Sequence, residues 1–173
     1  MFSARLALAD EVDLIRGVTE AAYAQYAVML GAPPLPVTEE YEPRVAAGEV
    51  WLVKETGGEA GGEAGGEAGG KGGRLVGLMV LETGEDHLMI FSLAVLPAAQ
   101  GAGVGRWMLG FAEEQARERG RPEVRLYTNG LMTRNIRVYG EAGFREVGRR
   151  PHPKRPGWVV VDMAKGVGGA HGA

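Results

Sequence analysis

The sequence predicts a mixed α/β fold, a mainly antiparallel central sheet flanked by helices. Strand-like and helix-like runs follow as strand, two helices, a meander of strands, then strand, helix, strand, helix, strand, strand. Short hairpin connections make part of such a sheet antiparallel, while a long helical crossover makes one pair parallel. At 173 residues the chain suits one compact domain with a core and a cleft.

The elements follow in order. Ser3 to Ala9 alternates weakly and reads as a first strand. Asp10 reads as an N-cap, with Asp13 three residues on to reach back to free amides. Val12, Ile15, Thr19, Ala22, Tyr23, Tyr26 and Leu30 fall at helical spacing, and Gly31 with the prolines at 33, 34 and 36 ends that helix. Thr38 starts a short second helix that stops near Gly48, and Val50 to Lys54 reads as a strand. Leu75 to Leu81 and His87 to Leu96 are the next two strands. A helix from Val104 to Arg119 turns Trp107, Met108, Phe111, Ala112, Gln115 and Ala116 inward. Val124 to Thr128 is a strand, Thr133 to Ala142 a helix capped by Thr133, and Phe144 to Gly148 and Trp158 to Ala164 complete the sheet.

Between two of these strands, Gly57 to Gly73 repeats Gly-Gly-Glu-Ala three times and continues in glycine and lysine. It has little to bury and much backbone entropy to lose, so disorder is expected. A flexible chain of this length spans roughly 20 Å, ample for an expanded hairpin loop. The expected organisation is one domain over residues 1–165, this insertion at 57–73, and a disordered tail at 166–173.

Composition narrows the function classes. With no cysteine there is no disulfide scaffold, cysteine nucleophile or thiolate metal site. Three scattered histidines suggest no metal site. A net charge of −3 argues against nucleic acid as a partner. The local cluster Arg145, Arg149, Arg150, Lys154 and Arg155 reads first as solvated surface. Acidic residues follow the N-terminus too soon for a signal sequence, and no run approaches the roughly 18 apolar residues of a membrane helix. A cytoplasmic protein, with no membrane partner, is the expectation.

The most informative stretch follows the strand ending Ala94-Val95-Leu96-Pro97. Gln100-Gly101-Ala102-Gly103-Val104-Gly105-Arg106 leads directly into a helix. Helix starts carry unpaired amides and a positive dipole end, so anions bind there. The three glycines keep the approach open to a pyrophosphate, and Arg106 adds charge. A dinucleotide fold wants G-x-G-x-x-G and a later acidic residue, and a nucleotide P-loop wants Gly-Lys-Ser/Thr; neither pattern is met. A tight strand-to-helix turn with no ligand is the plain alternative.

Here the chain resembles the GCN5-related N-acetyltransferases, which share Q/R-x-x-G-x-G/A after a strand and before a helix. Gln100, Gly103 and Gly105 fill that motif, and Leu126-Tyr127-Thr128, Asn135, Tyr139, Gly143 and Phe144 continue the match downstream. The resemblance covers Ile90 to Gly148 and implies an acyl-CoA N-acyltransferase-like fold with acetyl-CoA as co-substrate. It implies that Leu93 and Val95 offer backbone groups to the pantetheine arm where strands splay. It further implies that Gln100 and the amides of Gly101, Ala102, Gly103, Val104, Gly105 and Arg106 hold the pyrophosphate. Asn135 would contact the cofactor, and Tyr139 would protonate the departing thiolate. Spacing supports the last pair, because residues four apart share a helix face.

The only serines are Ser3 and Ser92, neither in a nucleophile motif. Direct transfer of acetyl to a primary amine of a small molecule or peptide is therefore expected. Many resembling proteins carry a carboxylate on the central strand; here that stretch is Ile90-Phe91-Ser92. Candidate bases are Glu82, Glu85, Asp86 and His87, with His87 titrating in the useful range. His152, between two prolines, reads as turn chemistry. Tyr23, Tyr26 and Tyr41, with the last hairpin, are candidate walls for the acceptor. The alternative is a CoA-binding sensor or interaction domain of the same fold without turnover. A homodimer, common among similar proteins, is a further expectation to test.

Overall fold

A computed structural model of the chain describes residues 1–57 and 73–168. Most of the Gly-Gly-Glu-Ala insertion and the end of the expected tail lie outside the described residues. The elements are β1 (Phe2–Leu6), α1 (Val12–Leu30), α2 (Tyr41–Ala46), β2 (Val50–Glu55), β3 (Arg74–Thr83), β4 (Leu88–Val95), α3 (Val104–Glu118), β5 (Glu123–Asn129), α4 (Thr133–Glu141), β6 (Arg145–Pro151) and β7 (Val159–Gly166). They form one sheet in the order β1-β2-β3-β4-β5-β7-β6. Among the described residues only the β4–β5 pair, spanned by α3, is parallel; every other neighbouring pair is antiparallel.

Both faces of the sheet are covered, which alternation along the central strands explains. Leu78 and Val80 face α1 and α2, joining Ile15, Val18, Ala22, Tyr41 and Leu52 in one core. Met79 and Leu81 face the other way, onto Met108, Leu109, Ala112 and Ala116 of α3 and onto Phe144. Trp107 and Phe111, expected inside, stack at the margin of this second core at 5.5 Å, beside Phe2 and Trp51.

Several element ends differ from expectation. The first strand stops at Leu6, and Ala9–Glu11 already turn as a 3-10 segment ahead of α1. Glu11, clamped by Arg5, takes the capping role expected of Asp13: its Oε2 accepts the Leu8 amide at 2.8 Å. Asp13 instead sits on the surface 3.4 Å from Arg16. Thr38 closes a separate 3-10 turn at Leu35–Thr38, and α2 begins only at Tyr41. Thr133 is the first residue of α4 rather than its cap; Asn129 closes that entry, its Oδ1 accepting the Leu131 amide at 2.9 Å. At the other end, β7 runs to Gly166, and Val167 is buried with its carbonyl held by Arg117 Nε at 2.9 Å. β7 and the buried Val167 thus lie past residue 165.

Candidate active site

The site begins where the parallel pair stops. β4 and β5 are in register only at Leu88, Met89 and Ile90, opposite Val124, Arg125 and Leu126. Beyond Ile90 the two strands diverge, and Leu93 and Val95 keep only β3 as a ladder neighbour. The Leu93 carbonyl accepts the Tyr23 hydroxyl at 3.2 Å, and the Val95 carbonyl accepts Gln100 Nε2 at 3.4 Å.

The glycine turn stands at the mouth of this divergence. Gly101 and Gly103 have φ of +82° and +83°, a left-handed conformation that side chains resist. Trp107 is the first amide of α3 to bond back, to the Gly103 carbonyl at 3.0 Å. The amides of Val104, Gly105 and Arg106 therefore have no helical partner. A Cβ placed on Gly101, Gly103 or Gly105 would meet nothing within 4 Å, so the amides are approachable from outside. A cleft of about 450 Å³ runs along them, lined also by Leu93, Val95, Gln100, Asn135 and Tyr139. Ala102 is the exception among the expected cradle residues: it is exposed and does not line the cleft. The Gln100 side chain is turned to the strand, not to the helix start. Arg134 and Tyr26 line the cleft without having been singled out for it; the only hint for Arg134 was its place beside Asn135.

A second, smaller pocket of about 80 Å³ adjoins the cleft, walled by Phe91, Ser92, Tyr127, His152 and Trp158. Tyr23, Leu93, Asn135 and Tyr139 line both cavities, so the two meet at these four residues. Tyr26 donates to Asn135 Oδ1 at 3.3 Å, linking α1 to α4 over the junction. Of the expected tyrosine walls, Tyr41 belongs to the core instead, 1% exposed with its hydroxyl on the Pro36 carbonyl.

Burial, and behind it the nearby Tyr26, pushes the Tyr139 hydroxyl up to about 12, with no hydrogen bond to offset it. Burial likewise raises Tyr23 well above the ordinary tyrosine range, against the lowering effect of its bond to Ser92. Neither phenol ionises near neutral pH. His152 is held below the usual histidine range, first by burial and then by Arg155, Arg150 and Lys154. Its Nδ1 accepts the Lys154 amide at 3.1 Å, which fixes the neutral ring with its proton on Nε2. The turn role expected for His152 is present, but the ring also walls the smaller pocket.

His87 is not brought to the site. It precedes β4, and the five steps along the strand from Leu88 to Leu93 span on the order of 17 Å. Its ring Nδ1 lies 2.7 Å from Asp86, and neither cavity includes it. Asp86 and Glu82 sit at that same remote end, held by Arg125 and Arg44, and Glu85 lines neither cavity. The cavities follow β4 from Ile90 onward, whereas the candidate bases lie at or before its start. Among the described residues no carboxylate lines either cavity, and no group of acidic or histidine side chains is arranged to hold a metal.

Comparison with known proteins agrees with this architecture. The model of the Acetyltransferase (GNAT) family matches residues 30–144. A mycothiol acetyltransferase of Jonesia denitrificans is 34% identical over 86 residues, 48% of this chain but 27% of that protein. The chain thus spans about a quarter of that relative's length. Among solved structures, the ribosomal-protein-S18-alanine N-acetyltransferase of Escherichia coli superposes with a TM-score of 0.67 at 17% identity, covering 98% of this chain and 96% of its own. A Bacillus subtilis acetyltransferase in complex with CoA gives 0.63 at 17%, covering 96% and 99%. At these identities the structures speak for the fold alone. Among the described residues, no helix is long and apolar enough to cross a membrane.

Proposed function

Because the chain belongs to the acetyltransferase (GNAT) family, we propose that it transfers the acetyl group of acetyl-CoA directly to a primary amine of a small molecule or peptide. The observation that carries this reading is the pair of cavities meeting at Tyr23, Leu93, Asn135 and Tyr139, where β4 and β5 part. A donor in one and an acceptor in the other would face each other there.

The residues present fit the donor. Open glycine positions and unpaired amides at the start of α3 suit a pyrophosphate, with Arg106 and Arg134 as flanking cations. The unzipped edge of β4 at Leu93 and Val95 offers backbone groups to an amide-bearing arm, in exchange for the bonds to Tyr23 and Gln100. When bound, acetyl-CoA supplies an activated thioester. Tyr139, kept protonated, donates a hydrogen bond to the sulfur as charge develops on it. Full proton transfer from a group near 12 to a thiolate whose parent thiol is near 8.5 runs uphill. Tyr139 therefore stabilises the leaving group more than it surrenders its proton. Asn135, held by Tyr26, orients groups at the junction. Among the described residues no carboxylate or free imidazole lines the junction to take the amine's proton, so deprotonation falls to water or to the amine's own equilibrium.

That last feature favours a second reading, a domain that binds CoA without turnover. Mixing the protein with acetyl-CoA and a panel of amines, and following free thiol, separates the two. Thiol release with one amine class supports transfer, cofactor binding without release supports the sensor, and absence of acetyl-CoA binding overturns both. A cytoplasmic location and a homodimer belong to the same proposal.

A further inference from the structure

The walls of the smaller pocket disfavour charge of either sign. Phe91, Tyr127 and Trp158 give it aromatic sides, and Leu30, Leu35 and Val160 add aliphatic ones. Among the described residues no aspartate, glutamate, lysine or arginine lines it. Four titratable side chains do, and each is pushed toward its neutral form. Burial raises Tyr23, Tyr127 and Tyr139 above the ordinary tyrosine range. Burial, followed by the cations Arg155, Arg150 and Lys154, lowers His152.

The polar groups on those walls are already engaged. Ser92 pairs with Tyr23 at 3.0 Å, Thr128 donates to Met132 Sδ at 3.5 Å, and Asn129 Oδ1 accepts the Leu131 amide at 2.9 Å. The acceptor nitrogen of His152 is taken by the Lys154 amide at 3.1 Å. A cationic amine entering here would lose its water and gain no counter-charge, which is the costly way to bury an ion. An ordinary alkylamine, with a pKa like the ~10.4 of a lysine side chain, is neutral in only roughly one molecule in 2,500 at pH 7. With no base on the walls, only that fraction is ready to attack. An amine of low basicity arrives neutral and meets neither obstacle. At about 80 Å³ the pocket takes a compact body, not a long chain.

Resting on the acetyl-transfer reading, we propose that the acceptor is a compact, apolar, weakly basic primary amine, such as an aromatic amine, bound neutral between Phe91, Tyr127 and Trp158 with its nitrogen toward Tyr139. The electron pair of that nitrogen attacks the thioester carbonyl. A C–N bond forms, and the C–S bond breaks with its electrons going to sulfur. The surplus N–H proton passes through water to that sulfur, leaving an amide and a free thiol. The acceptor's low basicity takes the place of a protein base.

The test compares amines matched in shape but not in basicity: p-toluidine against its isomer benzylamine, and trifluoroethylamine against ethylamine. Binding is measured calorimetrically at neutral pH with CoA present, and turnover by thiol release from acetyl-CoA. The weaker base of each pair should bind at least tenfold tighter and show at least tenfold higher kcat/KM. Asn129→Asp adds a carboxylate to the wall while keeping an oxygen for the Leu131 amide, so the preference should shift at least tenfold toward the cationic amine. Acetyl-CoA affinity is the control for folding. Equal or better binding of the stronger bases, a preference unchanged in the variant, or acetylation of free amino acids or lysine peptides ahead of p-toluidine overturns the proposal. Selective binding of the weaker bases without thiol release would leave the recognition standing and remove the transfer reading instead.

Discussion

The Tyr23 hydroxyl lies 3.0 Å from Ser92 Oγ and donates to the Leu93 carbonyl at 3.2 Å. With its single proton committed to Leu93, Tyr23 must accept from Ser92, so one hydroxyl chain runs from a buried strand position to the cavity junction. Ser92 is 2% exposed and belongs to the Ile90–Ser92 stretch in which many resembling proteins carry a carboxylate. Tyr23→Phe should leave Ser92 without its partner and cost about 1–2 kcal/mol in denaturant unfolding. It should also free the Leu93 carbonyl, so acetyl-CoA affinity should hold or improve. A loss of affinity beyond tenfold would show that Tyr23 itself contacts the donor.

Tyr139→Phe should keep acetyl-CoA binding and lower kcat by roughly tenfold to a hundredfold, the range of a positioned acid or hydrogen-bond donor. Because Tyr139 sits near 12 in the fold against about 10 in a free chain, the sign is clear. Its neutral form is favoured by folding below pH 10, and that stabilisation fades only as pH rises toward 12. The wild-type rate should therefore show no fall between pH 9 and 10 from this group. A descending limb there that disappears in Tyr139→Phe would contradict the assignment.

Gly105 and Gly103 separate fold from function. Gly105 lies inside α3 without a positive φ, so Gly105→Ala should raise stability by up to about 1 kcal/mol through helix propensity. The added methyl would stand in the larger cleft, and acetyl-CoA affinity should fall tenfold or more. Gly103→Ala should weaken binding as well but destabilise by about 1–2 kcal/mol, since its φ is +83°. Thermal melting beside calorimetric titration reads both effects. Tighter binding in Gly105→Ala would remove the pyrophosphate assignment from this turn.

Deleting residues 58–72 should leave the sheet intact. Glu55 and Arg74 are register partners, tied by an ion pair at 2.9 Å, so Thr56, Gly57 and Gly73 would close a short hairpin. Shortening the loop should stabilise by ~1.5 kcal/mol from closure entropy. Equal or higher Tm with unchanged thiol release is the expected outcome; lost turnover in a folded deletion would make the segment functional.

Much of the fold was legible because its signals are local. Alternation marked the central strands, and glycine after a periodic run marked the ends of α1, α3 and α4. The turn from Gln100 to Arg106 was legible because its left-handed positions, Gly101 and Gly103, favour glycine. What stayed hidden depends on distance through space. Nothing local says that Glu11, clamped by Arg5, would outcompete Asp13 at the start of α1. Adjacency to β4 made His87 look close to the chemistry, but only the divergence of β4 from β5 reveals which end of the strand matters. The inward turn of His152 and Trp158 rests on their mutual pairing across the last hairpin.

The three-residue register between β4 and β5 has a mechanical side. Strands β1 to β4 form one plate and β5, β7 and β6 another, stitched along a single short seam with α3 strapped across it. A ligand that fills the divergence acts as the missing length of that seam. Donor binding should therefore register as cohesion between the plates, with amides of Leu93, Val95 and the facing half of β5 exchanging hydrogen more slowly together.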